Sequence, residues 1–178
     1  MADFIAHPAP RGSHSVAAHV IDRIVALCGI VPYALVALIL RLVIARDFFL
    51  AGQANASGPV FPLSLQTFEY SLILPLQVRD DALSAFAAQF GATPLPPAVI
   101  VYGFTWAEFL LPICLVIGFG TRIASLLLLI MTVVLQIYVA PAALWTAHVY
   151  WIALLLVLMT CGPGVISLDR LIRYSYES

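Results

Sequence analysis

The stretch Ala98–Ala140 reads AVIVYGFTWAEFLLPICLVIGFGTRIASLLLLIMTVVLQIYVA. Two apolar runs, Ala98–Phe119 and Arg122–Ala140, meet at the turn Gly118-Phe119-Gly120-Thr121. About twenty apolar residues cross the roughly 30 Å of bilayer hydrocarbon, so the pair predicts a helical hairpin in a membrane. Glu108 falls near the middle of the first run and Gln136 four residues before the end of the second. A charged group at that depth costs roughly 2.5 to 3.5 kcal/mol even on a lenient insertion scale. Such residues are therefore expected to compensate one another or to line a cavity.

Composition agrees with the hairpin. The 178 residues are 63% apolar and 10% charged, with mean hydropathy +1.05, far outside soluble globular usage. The net charge of -1 contains eight Arg and no Lys. That leaves no basic block for nucleic acid or for an anionic membrane surface, and nucleic-acid binding is not expected. Cys28, Cys114 and Cys161 are scattered without a C-x-x-C pair, so neither a thiol relay nor a metal site is expected. No haem-ligand pair or nucleotide loop is evident, and no intrinsic cofactor is expected.

Working outward, residues 1–14 read as a disordered tail and 15–29 as an interfacial helix, with Val16, Val20, Ile24 and Leu27 on one face. No cleavable leader is apparent. A first span is expected at about 31–53 and a fourth at 145–161, ended by Gly162-Pro163-Gly164, with a tail over 165–178. Residues 54–97 carry Gly58, Pro59, Pro62, Pro75, Pro94, Pro96 and Pro97 and read as a large extramembrane loop that caps the bundle. Within it, Asp80–Phe90 suits a short amphipathic helix. The fold class is thus an all-α integral membrane four-helix bundle, one domain over residues 1–178, with a large extracytoplasmic loop between helices 1 and 2.

Orientation follows from arginine placement. Arg11, Arg23, Arg122, Arg170 and Arg173 fall on one side and Arg79 on the other. By the positive-inside rule both termini and the Gly-rich turn are cytoplasmic and the long loop faces outward.

In this topology Glu108, His148, Gln136, Arg46 and Asp47 approach one another in depth beneath the loop, with Arg41 deeper. Glu108 and His148 are the candidate proton-handling groups, and Arg41, Thr105, Gln136, Arg46 and Asp47 the candidate substrate-binding ones. Plainer readings stand beside these. Arg41 is the better buried partner for Glu108, as a structural ion pair that sets helix register. Thr105 shares the Glu108 face as its hydrogen-bond donor. His148, beside Trp145, Tyr150 and Trp151, fits an interfacial aromatic belt. Gln136 fits interhelical hydrogen bonding, and Arg46 and Asp47 can snorkel. The aromatic residues would equally suit a quinone or another planar lipophile.

Three stretches resemble the DoxX family of small four-helix membrane proteins: Arg41-Leu42 followed by Phe48-Phe49 and Gly52; Glu108 leading into Gly118-Phe119-Gly120-Thr121-Arg122; and Gly162-Pro163-Gly164-Val165-Ile166-Ser167-Leu168-Asp169. The resemblance spans about residues 35–172. It implies a bacterial inner-membrane component of redox or sulfur- and oxidative-stress systems, working with a protein partner in a membrane complex and using a quinone as diffusible ligand. Arg46-Asp47 and the long insertion after the first span depart from the family pattern. On the residues themselves the last two motifs read as structural, with Ser167 capping a short helix.

The leading expectation is therefore a membrane subunit of an oxidoreductase assembly with a quinone- or sulfur-compound-facing pocket. The alternatives are a non-enzymatic scaffold that recruits a partner through the loop and the interfacial N-terminal helix, and a small-solute or proton pathway, which in so narrow a bundle would need a homo-oligomer or a large opening.

Overall fold

The computed structural model describes residues 20–21, 23, 32–65, 68–90, 96–139 and 141–177. The expected tail at 1–14 and nearly all of the interfacial helix at 15–29 lie outside them. Val20, Ile21 and Arg23 are helical, and residues 33–178 form a compact unit of their own.

That unit is mostly helical. The helices are α1 (Tyr33–Asn55), α2 (Asp80–Phe90), α3 (Pro97–Ile117), α4 (Thr121–Tyr138), α5 (Val149–Cys161) and α6 (Leu168–Glu177). Pro97 opens α3 at a position where no N–H is needed. The helix ends at Gly118, whose left-handed φ of 77° lets the Gly118 and Phe119 N–H groups close on Cys114 O, both at 2.9 Å. After Gly120 the chain turns directly into α4. A 3-10 turn (Pro141–Ala143) and a single π turn (Leu144–His148) lead into α5 without a break.

By length and composition three helical stretches are able to cross a membrane: Pro97–Ile117, Thr121–Tyr138 and Pro141–Cys161. The α1 helix, with 23 residues, is long enough but carries Arg41, Arg46 and Asp47. The α3 helix packs on α1 and α4, and α5 on α4 and α1. Ile44, Phe48, Leu115, Leu128, Leu155 and Leu158 fill the space between them. The outer faces are also apolar, with Leu42, Val43, Leu110, Ile123, Ile130 and Ile137 all exposed. Apolar surface on that scale belongs against lipid.

The segment between α1 and α3 contains strands that the sequence analysis did not expect. Strand β1 (Ala56–Ser57) pairs antiparallel with β4 (Gln77–Val78), and inside that pair β2 (Val60–Leu65) forms a hairpin with β3 (Phe68–Ile73), in register Val60↔Ile73 to Leu65↔Phe68. The Gln53 amide fastens the hairpin to the end of α1: Nε2 donates to Ile73 O at 2.9 Å and Oε1 accepts from Ile73 N–H at 2.7 Å. Helix α2 lies against α3. Its Phe86 and Phe90 meet Phe104 edge-on, each at 6.1 Å, and Phe90 contacts Tyr138 at 5.3 Å.

Candidate functional site

The polar residues inside the helices form three separate groups. The first is at the turn-side end. Arg41 is fully buried, and its guanidinium donates to three carbonyls: Ala37 O at 3.3 Å, Leu115 O at 3.5 Å and Ile166 O at 2.6 Å. Leu115 O lies in the last turn of α3, where the helix dipole is negative, whereas Ala37 O lies one turn before Arg41 on α1 itself. A Cβ on Gly118 would collide with the same guanidinium and with Ser167.

Asp169 performs the converse task for α4. Its Oδ1 accepts the Gly120 N–H at 2.7 Å and its Oδ2 the Thr121 N–H at 3.1 Å, while its own N–H donates to Gly118 O at 3.0 Å. A carboxylate thus sits at the positive end of α4. Ser167 Oγ accepts the Arg170 N–H at 3.3 Å, capping α6. Tyr33 Oη donates to Gly162 O at 2.8 Å, tying the start of α1 to the end of α5. The role of Asp169 was missed from sequence. Its partners are backbone groups some fifty positions away, which no local pattern announces.

The second group surrounds Glu108. Gly52 allows α1 to approach so closely that a Cβ there would stand 2.8 Å from Glu108 Cβ and 3.1 Å from its carbonyl carbon. Glu108 and Thr105 are buried on one face of α3. Asn55 interacts with the Glu108 carboxyl, whose Oε2 has no hydrogen-bond partner among the described residues. Pro112, four residues on, provides no N–H for the Glu108 carbonyl. Gly52 and Asn55 were not singled out from the sequence.

Arg41 and Glu108 therefore do not pair. The ion pairs among the described residues are Arg46–Asp47 at 3.4 Å and Arg79–Asp81 at 2.7 Å. The reason is register: in the antiparallel packing of α1 on α3, Arg41 falls opposite Leu115, whereas Glu108 falls opposite Gly52.

The third group is His148, Gln136 and Trp151. His148 is buried, and its Nδ1 lies 2.6 Å from Gln136 Oε1, so this nitrogen carries the proton in the neutral ring; Gln136 Nε2 donates to Pro141 O at 2.8 Å. The imidazole lies 5.3 Å from Trp151, which in turn lies 5.0 Å from Phe48. No hydrogen bond or ion pair joins His148 to Glu108; contact between the two groups passes through Trp151, Phe48 and the α1 backbone.

Starting at Pro112, one turn along α3 from Glu108, an apolar groove of about 360 Å³ runs on the outer face between α1 and α3. Phe49 and Pro112 line its loop-side part, Leu42, Val116 and Ile117 the rest, and Arg46 is its one charged residue. Phe49 stacks on Phe109 at 5.6 Å. No group of three or more His, Cys, Asp or Glu side chains suited to a metal occurs among the described residues.

No curated protein and no solved structure matches the chain. The family model described as DoxX matches residues 36–148, more than half of its length. That stretch holds most of α1 with its buried Arg41, the Gly52–Glu108 crossing and the whole Gly118–Thr121 turn, and stops just short of α5. This multi-pass membrane protein belongs to the DoxX family.

Proposed function

We propose that the chain is a four-span inner-membrane subunit of an oxidoreductase assembly, which admits a quinone or a similar planar lipophile from the bilayer into the α1–α3 groove and exchanges protons with it through Glu108. The carrying observation is the groove itself: its wall is apolar and aromatic, it opens on the lipid-facing side, and its loop-side end lies one helical turn from a buried carboxyl with an unpartnered oxygen. Reduction of a quinone to a quinol takes two electrons and two protons. The electrons come from a partner subunit, and a carboxyl beside the site supplies a proton route. Arg46 offers a donor for a quinone carbonyl.

Helix α1 is the fourth span in this reading. At 1.5 Å per residue it covers roughly 35 Å. Its one buried charge is satisfied by carbonyls, and its exposed ones face each other as Arg46–Asp47. The termini and the Gly118–Thr121 turn are then cytoplasmic. His148 forms a second proton-handling candidate, held by Gln136 away from the groove.

The test is quinone-coupled electron transfer in membranes carrying Glu108→Gln. Loss of coupled turnover with intact protein levels is expected. Unchanged turnover removes Glu108 from the mechanism.

A second reading, a scaffold that docks a partner through the outer segment, draws on the exposed apolar residues Val60, Phe61 and Leu76. A partner that co-purifies with the wild type and is lost in Val60→Ser/Phe61→Ser, with Glu108→Gln silent, would favour it.

A further inference from the structure

Arg122 lies 51 positions before Arg173 in sequence, and Arg122, Arg170 and Arg173 leave no mark as a basic motif. The fold gathers them. All three line an open groove of about 1090 Å³ at the turn-side end of the helices, together with Tyr33, Ile123 and Ile172. Arg122 lies along Gly162, with Nε 3.2 Å from where a Cβ would stand, and so borders the Tyr33–Gly162 hydrogen bond. Arg170 and Arg173 come from α6.

None of the three guanidinium groups makes a hydrogen bond or an ion pair among the described residues. Asp169 also lines the groove, but its two oxygens are engaged by Gly120 and Thr121. Three arginines against one carboxylate leave the groove with an excess of positive charge. Apolar side chains border it: Ile123 is 67% exposed and Val165 57%. Helix α6 is amphipathic, with Leu168, Leu171 and Ile172 on one face and Arg170 and Arg173 on the other.

We infer that this groove is a binding site for the phosphodiester headgroup of an anionic phospholipid. Guanidinium forks match phosphate oxygens bidentately. Ile123, Val165 and Ile172 provide the apolar edge along which acyl chains continue beside α4. Charge and apolar surface together select a lipid over a soluble anion, and clustered arginines at this boundary attract anionic headgroups at roughly fivefold in affinity per residue. The inference is independent of the quinone reading, because the two grooves share no lining residue.

The test uses the full-length protein in detergent, titrated with phosphatidylglycerol and, separately, phosphatidylcholine, with bound lipid counted by native mass spectrometry. Phosphatidylglycerol is expected to bind in preference, and Arg122→Gln/Arg170→Gln/Arg173→Gln to lower its affinity on the order of a hundredfold. Arg46→Gln/Arg79→Gln, which also removes positive charge, is expected to change it little. Each variant is checked for an unchanged melting temperature, and the single variant Arg173→Gln, on the exposed face of α6, supplies a fivefold reading should the triple variant fold poorly. Equal binding of both lipids, or an equal loss in the control pair, would overturn the proposal. Displacement of the lipid by millimolar inorganic phosphate would also overturn it, by making the site one for a free anion.

Discussion

The Arg41 guanidinium donates to the Ile166 carbonyl at 2.6 Å across 125 positions of sequence. With its bond to Leu115 it links α1, the end of α3 and the segment before α6. Arg41→Gln should therefore lower stability by ~1 to 3 kcal/mol, since the Ile166 carbonyl loses its donor and the three-way tie is cut. Arg41→Lys should recover only part, because an ammonium cannot reach several carbonyls as a fork does. Thermal unfolding in detergent measures both; a Lys variant as stable as wild type would show that charge alone suffices.

Asp169 caps α4 with two oxygens. Asp169→Ala should cost about 1 to 2 kcal/mol, and Asp169→Asn less, since one acceptor oxygen remains. Hydrogen exchange at the Gly120 and Thr121 amides reads the cap directly. Protection unchanged in Asp169→Ala would refute it.

Gly52 and Gly103 make a matched pair. A Cβ at Gly52 meets Glu108, whereas one at Gly103 meets nothing within 4 Å. Gly52→Ala should destabilise the protein by ~1 to 3 kcal/mol through overpacking. Gly103→Ala should be neutral or slightly stabilising, by up to about 1 kcal/mol. Equal melting temperatures for the two would mean that α1 and α3 do not cross there.

Outside the membrane-length helices, Arg79 donates to both oxygens of Asp81 in the first turn of α2, at 3.1 and 2.7 Å. Desolvation raises the Asp81 carboxyl, but the Arg79 hydrogen bond and charge and the Ala82 N–H outweigh it and hold the group below its ordinary 3.8. A depressed carboxyl stabilises the fold at pH above 3.8 and loses that contribution as pH falls through its folded value. Exchange at the first amides of α2 should thus accelerate, relative to the intrinsic rate, below about pH 4, and less so at high salt because the pair is exposed. An Asp81→Asn variant should show no such step.

The helices α3, α4 and α5 were legible because apolar runs of span length bounded by Gly and Pro admit few other readings, and α2 because Asp80 and Asp81 begin an amphipathic pattern. The hairpin at 60–73 was not, since its strand alternation is interrupted by Pro62 and no two-residue turn signal such as Asn-Gly marks it. Among the polar residues, depth was readable but partners were not. Residue counting placed Arg41 deeper than Arg46, yet the offset between α1 and α3, set by how closely Gly52 lets the backbones approach, sent it to Leu115 and Ile166 and left Glu108 facing Gly52. The basic groove was hidden for a related reason: turns, rather than sequence proximity, bring Arg122 to Arg170 and Arg173.

The account rests most directly on occupancy of the α1–α3 groove. A photoreactive quinone analogue, incorporated with the purified protein in lipid nanodiscs and mapped by mass spectrometry, should label residues 42–49 and 112–117, and excess unmodified quinone should suppress that labelling. Labelling spread evenly over lipid-facing helix surfaces, or undiminished by the competitor, would contradict it.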